Sequence, residues 1–283
     1  MAKKTIRIVA YIILPVIGIY FILMFSFGGY GKKPVTLVLP KTKDSTLLFA
    51  HRGLSVYYPE SSLEAMQGAK KQGFNGVEVD IEKDRNGELI VFHDKDCMRL
   101  LGIRGNIDTM STEQLKAQPL IYHEEKVSTS YMITLKELLD NYGDDFIFYF
   151  DMKLADFETA DDIAQVIEDY DLEKNCIVAN SDFSFIFYME HNYPEITTVL
   201  EGFDAGKEWT YYLMPKHFKP DYFSGFSWNV NRKHVEWLKR NDLLDARIVY
   251  GVGNDNFKTM LGYGLRNLIM DYDSSITGIG SLR

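Results

Sequence analysis

The sequence predicts an α/β protein. Its core is a closed (β/α)8 barrel of the TIM type, with a β-ribbon and an inserted lid after the second strand, preceded by one N-terminal transmembrane helix. Three observations predict this. An uncharged apolar stretch runs from Ile8 to Phe27. Short β-rich runs then alternate with helical patterns to the end of the chain, as a parallel sheet with crossover helices requires. Two of those runs, however, are joined by a segment too short to hold a crossover.

The apolar stretch, "IVAYIILPVIGIYFILMFSF", comes first. At about 1.5 Å per helical residue its twenty or so residues reach roughly 30 Å, the thickness of a bilayer core. A cleaved signal peptide would have a shorter apolar stretch, of about 7–15 residues. A buried globular helix would show polar positions at helical spacing, and here there are none. Residues 1–30 are therefore expected to be a single-pass anchor, with the bilayer as partner. Lys3, Lys4 and Arg7 precede the span and Lys32, Lys33, Lys41 and Lys43 follow it, so charge hardly sets its direction. The barrel is expected on the extracytoplasmic side. Residues 31–45, rich in Gly, Lys and Pro, read as a tether, and 46–283 as the barrel.

The chain has 283 residues, of which 46% are hydrophobic, enough for one large barrel or two ordinary domains. Its net charge is −9, and −12 once the three cations of the acid-free first thirty residues are set aside. An acidic globule repels phosphate backbones, which excludes nucleic acid as a partner. A phosphate-bearing substrate would have to be met by local cations. Cys97 and Cys176 form neither a disulfide framework nor a zinc site by number or spacing.

Nine strand-like runs follow: "TLLFAH", "GVEVDI", "LIVFHD", "FIFYFDM", "CIVAN", "TTVLEG", "YFSGF", "RIVYGV" and "NLIMDY". A helix over Ser61–Gln72 is expected, with Ser61 and Glu64 as a capping box and Gly73 as its stop. The second and third runs are separated only by "EKDRNGE", and Asn86–Gly87 is the mark of a type I′ hairpin. Ile81 to Phe92 is thus a ribbon, which leaves eight parallel strands. With Asn86–Gly87 at the tip, His93 falls across from Asp80, or from Glu78 after a slip of two. Residues 94 to about 130 show little periodicity and read as a lid or binding loop, ahead of a helix near Thr134–Asn141.

Glu78 and Asp80, two apart on a strand, share a face, and Asp151 and Lys153 repeat the arrangement on another strand. The C-terminal rim is where barrel enzymes assemble their sites. Three carboxylates converging there would repel unless protonated or bound to a cation, and all-oxygen ligation suits Mg2+ or Ca2+. With His51, His93 and Arg52 added, the set describes a site that cleaves phosphodiesters. Arg52 and Lys153 meet phosphoryl oxygens, one histidine activates a nucleophile and the other protonates the departing alkoxide. His123, His191, His217 and His234 read as structural.

"HRG" with "PE" some six residues on, "VEVDIEKDRNGELIVFHD", and "TLKELL" ahead of "FYFDMK" resemble the glycerophosphodiester phosphodiesterase family. The resemblance covers about residues 46–275. "VYGVGN" and "GLRNLIMDY" fit its final strands more weakly. It implies a barrel of the phospholipase C-like type, a divalent metal, and hydrolysis of glycerophosphodiesters to glycerol phosphate and an alcohol. By position it makes His51 and His93 the acid–base pair, Glu78, Asp80 and Asp151 the metal ligands, and Arg52 and Lys153 the phosphate contacts. Glu60 is then the acid of the Pro–Glu motif, near the metal or orienting its water. Three positions depart from the pattern. Ser61 replaces an asparagine, Asp151 stands where glutamate is common, and a late aromatic–threonine motif appears only as Tyr250–Gly251. Two alternatives accompany this reading: a lysophospholipase D-type activity on lysophospholipids, and a barrel that binds glycerophosphate ligands without cleaving them. The attacking oxygen, a water's or the substrate's own neighbouring hydroxyl, is left open by the sequence.

Overall fold

The computed structural model describes residues 9–29, 46–122 and 126–271. The tether expected over 31–45 and His123 lie outside the described residues. The strands are β1 (Leu47–His51), β2 (Gly76–Lys83), β3 (Leu89–Val91), β4 (Pro119–Tyr122), β5 (Lys126–Tyr131), β6 (Ile133–Thr134), β7 (Ile147–Met152), β8 (Cys176–Asn180), β9 (Thr197–Leu200), β10 (Tyr222–Phe226), β11 (Arg247–Val252) and β12 (Asn267–Met270). Among the described residues eight of them pair in parallel around a ring, β1-β2-β7-β8-β9-β10-β11-β12, which closes through β12 on β1. The expected barrel is present.

Alternation along each strand fills this ring. In β1, Leu48, Phe49 and Ala50 are all buried, and in β2, Val77, Val79 and Ile81 are buried on the face away from Glu78 and Asp80. Such two-sided burial is what a strand covered by helices on one side and packed inside a barrel on the other requires. Gly76 opens β2 where a Cβ would meet the Phe49 ring at 2.5 Å and the Ile147 carbonyl oxygen at 2.6 Å. The first crossover helix, Leu63–Gln72, starts one residue later than its capping box suggested. Ser62, not Ser61, is the cap, its Oγ accepting from the Ala65 amide at 3.1 Å, and Gly73 ends the helix at φ +81°.

The ribbon after β2 is real but turns differently from the expectation. Ile81 pairs with Val91 and Lys83 with Leu89, one residue out of the predicted register, so Phe92 and not His93 reaches Asp80. The cause is Asp84. Its Oδ1 accepts from the amides of Asn86 and Glu88 at 2.7 and 2.9 Å, which makes a three-residue loop with Gly87 at φ +84°. The Asp84 Oδ2 accepts from the Thr112 amide and hydroxyl and so ties the ribbon to the following insertion.

The described residues of that insertion carry secondary structure of their own. It contains short helices at Met98–Leu101 and Thr112–Leu115 and the antiparallel pair β4–β5. Ile90, Phe92, Leu100, Ile107, Leu115 and Met132 bury one another in a second, smaller core. Its elements are too short to show a period in sequence.

The transmembrane expectation is corrected. No described helix is long and apolar enough to cross a membrane. The α-helix is Leu14–Ser26, 13 residues with Pro15 at its start, preceded by a π-helical turn at Val9–Ile13. At about 1.5 Å per residue the α-helical part reaches roughly 20 Å, short of the roughly 30 Å needed. It stops because Gly28 and Gly29 both take positive φ, and its end docks on the barrel. The Tyr20 hydroxyl donates to the Leu213 carbonyl, His217 N–H to the Phe27 carbonyl and Lys216 N–H to the Gly29 carbonyl, while Phe27 packs on Phe218 and Met24 is buried. The stop after Phe27 falls where the apolar stretch ends; what continuous apolarity could not reveal is that the α-helix begins only at Leu14. The single-pass anchor, the bilayer as partner and the membrane localisation are withdrawn with it.

Gly53, at φ +77°, has the Ala65 backbone 2.8 Å from where a Cβ would stand, whereas Gly87, at φ +84°, has nothing within 4 Å. Gly53→Ala should therefore lower unfolding stability by about 2–4 kcal/mol and Gly87→Ala by about 1 kcal/mol. Urea denaturation of the two variants checks the difference.

Candidate active site

β1, β2 and β7 run side by side, and their registers assemble the charged floor of the barrel. His51 lies beside Glu78, and Asp80 lies beside Asp151. The chain then leaves β1 through two consecutive left-handed residues, Arg52 at φ +55° and Gly53 at φ +77°. This turn lets His51 and Arg52 face the barrel interior while the backbone departs. The Arg52 amide donates to the Glu78 carbonyl and to its carboxylate, at 2.9 and 3.1 Å.

Glu78, Asp80 and Asp151 each place a carboxylate oxygen within 4.8 Å of the other two, and Glu78 and Asp80 are fully buried. Burial pushes Glu78 up to about 8, and the charges of Asp80 and Asp151 add to the shift. Asp151 is also raised, by burial and then by Asp80, against Lys153. Asp80 is held below the usual carboxylate range, because Lys153 and Arg52 outweigh its burial. Lys153 Nζ lies 2.6 Å from both Asp80 Oδ1 and Asp151 Oδ2. Asp80 Oδ2 is buried with no hydrogen-bond partner, although Arg52 Nε lies 3.0 Å away. A hard divalent cation suits this donor set: three carboxylates that repel one another, two of them buried and one half-buried, with one Asp80 oxygen lacking a hydrogen bond. The cluster could coordinate such an ion.

Both predicted histidines reach the same cavity, of about 410 Å³, together with Arg52, Lys153 and the three acids. His51 Nδ1 is 2.6 Å from Asp271 Oδ1, and its Nε2 is 3.8 Å from Glu78. Burial alone would lower His51. The hydrogen bond with Asp271 and the charges of Glu78 and Asp271 win and raise it to about 8. His93 arrives despite the shifted ribbon register because β3 ends at Val91, which frees it from strand alternation. Its Nδ1 lies 2.6 Å from Asp94 Oδ1.

Glu60 lies beside the site, next to Arg52. It is not part of the three-acid cluster. Its carboxylate accepts from Arg52 Nη1 at 2.8 Å and from Arg99 Nη1 and Nη2 at 2.7 and 2.9 Å. Arg99 also donates to Asp94, so a chain of charges joins the insertion to both histidines' surroundings. Ser61 is buried at φ +59° with its hydroxyl unpartnered. Of the histidines read as structural, His191, His217 and His234 all lie away from this cavity, and buried His234 is held by Glu208 at 2.8 Å.

Sequence reasoning missed Asp271, Asp94, Glu201 and Tyr149. Each carried a signal. Asp271 and Glu201 are acids one step past β12 and β9, Asp94 follows His93 directly, and Tyr149 is two before Asp151 on the same strand face. The Tyr149 hydroxyl lies 2.7 Å from Glu201 Oε1, and burial, then Asp151, pushes Glu201 up to about 8.

The comparisons with known proteins agree with this geometry. The model of the glycerophosphoryl diester phosphodiesterase family matches residues 51–272. A solved phosphodiesterase of Oleispira antarctica, in complex with the product sn-glycerol-3-phosphate, superposes with a TM-score of 0.70 at 17% identity, covering 84% of this chain and 96% of that one. A glycerophosphodiester phosphodiesterase of Caldanaerobacter subterraneus is 28% identical over 140 residues, 48% of this chain, and the match spans 58% of that relative's length. An uncharacterized Bacillus subtilis protein, YqiK, is 21% identical over 243 residues, 83% of this chain and 98% of that one. Fold and family define a barrel of the phosphoric diester hydrolase class. The chain belongs to the glycerophosphoryl diester phosphodiesterase family.

In metal-free protein, Asp271→Asn should return the His51 pKa from about 8 towards its ordinary 6.5, as read by NMR titration of the imidazole. The sign for stability follows. The raised His51 contributes stability that is complete below about 6.5 and lost as pH climbs through about 8, and Asp271→Asn should remove that pH dependence.

Proposed function

We infer that this protein hydrolyses glycerophosphodiesters, releasing glycerol phosphate and an alcohol. The observation that carries the reading is the convergence of two carboxylate-supported imidazoles and a cluster of three acids, two of them buried, on one cavity. Glu78, Asp80 and Asp151 would hold a divalent cation, Mg2+ or Ca2+. When bound, that ion supplies positive charge to the phosphoryl oxygens.

The chain's own groups supply the rest. Arg52 and Lys153 face the cavity as fixed cations and neutralise charge that grows on the phosphoryl group during displacement. A proton held on the raised His51 suits transfer to the departing alkoxide oxygen, while Asp271 fixes the ring. His93, steered by Asp94, then takes the proton of the attacking oxygen, whether a water's or that of the substrate's neighbouring hydroxyl. As the new P–O bond forms and the bond to the alcohol breaks, one proton enters at His93 and one leaves from His51. Glu60 supports the site indirectly by holding Arg52 against Asp80.

Product analysis on glycerophosphocholine, lysophosphatidylcholine and a polyglycerolphosphate, with and without chelator, tests the reading. Glycerol phosphate and free alcohol should appear and should be lost with chelator. Lysophosphatidate from the second substrate alone would favour a lysophospholipase D-type activity, and no turnover of any diester would overturn catalysis. His51→Ala and His93→Ala should each lower kcat by about 10²–10⁴-fold. An unchanged rate in either would remove that residue from the acid–base pair.

A further inference from the structure

A second cavity, of about 410 Å³, adjoins the catalytic one and equals it in volume. The two share His51, Arg52 and Asp271, but His93, Lys153 and the three clustered acids line only the catalytic cavity. The remaining walls of the second cavity come from two separate parts of the chain. Ser55 and Val56 belong to the turn after β1, and Arg99, Leu100 and Ile121 belong to the insertion. The Tyr122 hydroxyl donates to the Val56 carbonyl at 2.5 Å and ties the two parts together.

Among the described lining residues no charge is left uncompensated. Arg52 and Arg99 both donate to Glu60, Arg99 Nε donates to Asp94, and Asp271 holds His51. An organic cation would face two guanidinium groups there and a second phosphate would face Glu60 and Asp271, so an ionic group of either sign gains nothing. Hydrogen-bonding capacity remains. Arg99, its side chain 45% exposed, spends three of its five N–H groups on Glu60 and Asp94 and keeps two as donors. The Ser55 hydroxyl donates to the His51 carbonyl at 3.0 Å, and its oxygen can still accept. Val56, Leu100 and Ile121 add an apolar surface. Donors and an acceptor beside an apolar wall match a carbon chain or ring that bears several hydroxyls.

Displacement at phosphorus runs in line, with the attacking and leaving oxygens on opposite sides. With the phosphoryl group at the acids and Lys153, the alcohol leaves on the His51 side, away from His93. His51 but not His93 lines the second cavity, which therefore stands on the alcohol's path. We propose that this cavity receives the departing alcohol, and that the alcohol it selects is a neutral polyol. The proposal rests on the phosphodiesterase reading and names the substrate class within it. Arg99 and Ser55 bond the polyol's hydroxyls, Val56 and Ile121 pack against its carbons, and the glycerol phosphate stays in the catalytic cavity.

Steady-state kinetics of the full chain on three diesters tests it: glycerophosphoglycerol, glycerophosphocholine, and the methyl ester of glycerol phosphate, whose one-carbon alcohol is too short to enter the cavity. Wild-type kcat/KM for glycerophosphoglycerol should exceed that for each of the others by about tenfold, as two added hydrogen bonds would give. Val56→Trp, which fills the cavity, should erase that preference and bring the three diesters to similar values. No preference in the wild type, or a preference that survives in Val56→Trp, would overturn the subsite while leaving the phosphodiesterase reading intact. Should wild-type protein cleave none of the three, the phosphodiesterase reading fails. Calorimetric binding of glycerophosphoglycerol then still decides the subsite: weakening in Val56→Trp upholds it, and unchanged or absent binding overturns it. Thermal melting verifies that Val56→Trp folds, and Ile121→Phe, which fills the cavity from the insertion, takes its place with the same expected outcomes if it does not.

Discussion

Like-charge repulsion inside a closed sheet is the constraint on which the rest of this site depends. Parallel pairing fixes Asp80 beside Asp151, and strand alternation puts Glu78 on the same inward face. Three carboxylates within 4.8 Å of one another, two of them fully buried, would separate or protonate in an unsupported core. The fold instead answers with cations. Arg52 and Lys153 both reach Asp80, and the shifts of the three acids divide accordingly: Asp80 down, Glu78 and Asp151 up. Lys153 spans Asp80 and Asp151, while the other Asp80 oxygen, buried and without a hydrogen bond, lies 3.0 Å from Arg52 Nε; the three acids together could coordinate a hard ion.

Surrounding features follow from holding those cations in place. Arg52 adopts a left-handed backbone conformation, strained for a residue with a long side chain, and the adjoining Gly53 completes the turn. Glu60 grips Arg52 from the far side, and Arg99 of the insertion grips Glu60 in turn. Arg99 is partly exposed, so these pairs add little to global stability; their effect is to fix geometry. Through Asp94 the same guanidinium reaches the neighbour of His93. The insertion, with its own small core, is thereby part of the site's framework and not merely a cover over it.

Much of this was legible in the sequence where strong periodicity and rigid spacing coincide. The eight parallel strands, the antiparallel ribbon and the meeting of His51, Glu78, Asp80, Asp151 and Lys153 all follow from two-residue alternation and strand order. Three things were not. Asp84, through its side-chain bonds to Asn86 and Glu88, selects a three-residue loop that no dipeptide signature shows. The apolar run at the N-terminus hides the late start of the α-helix at Leu14 and the docking of Phe27 on Phe218, because hydropathy records composition and not tertiary contact. Asp271 and Glu201 sit one residue past their strands, where an acid reads equally well as a solvated end. Only closure of the ring, which brings β12 back to β1, shows that Asp271 faces His51.

Calorimetric titration of Mg2+ or Ca2+ into the full chain near neutral pH tests the central claim most directly. The acidic cluster should give saturable binding at a single site. Proton release should accompany it, because Glu78, held at about 8 without the ion, must ionise to ligate. Both signals should vanish in Asp80→Asn. The absence of saturable binding in the native chain, or binding of equal strength in Asp80→Asn, would contradict the account.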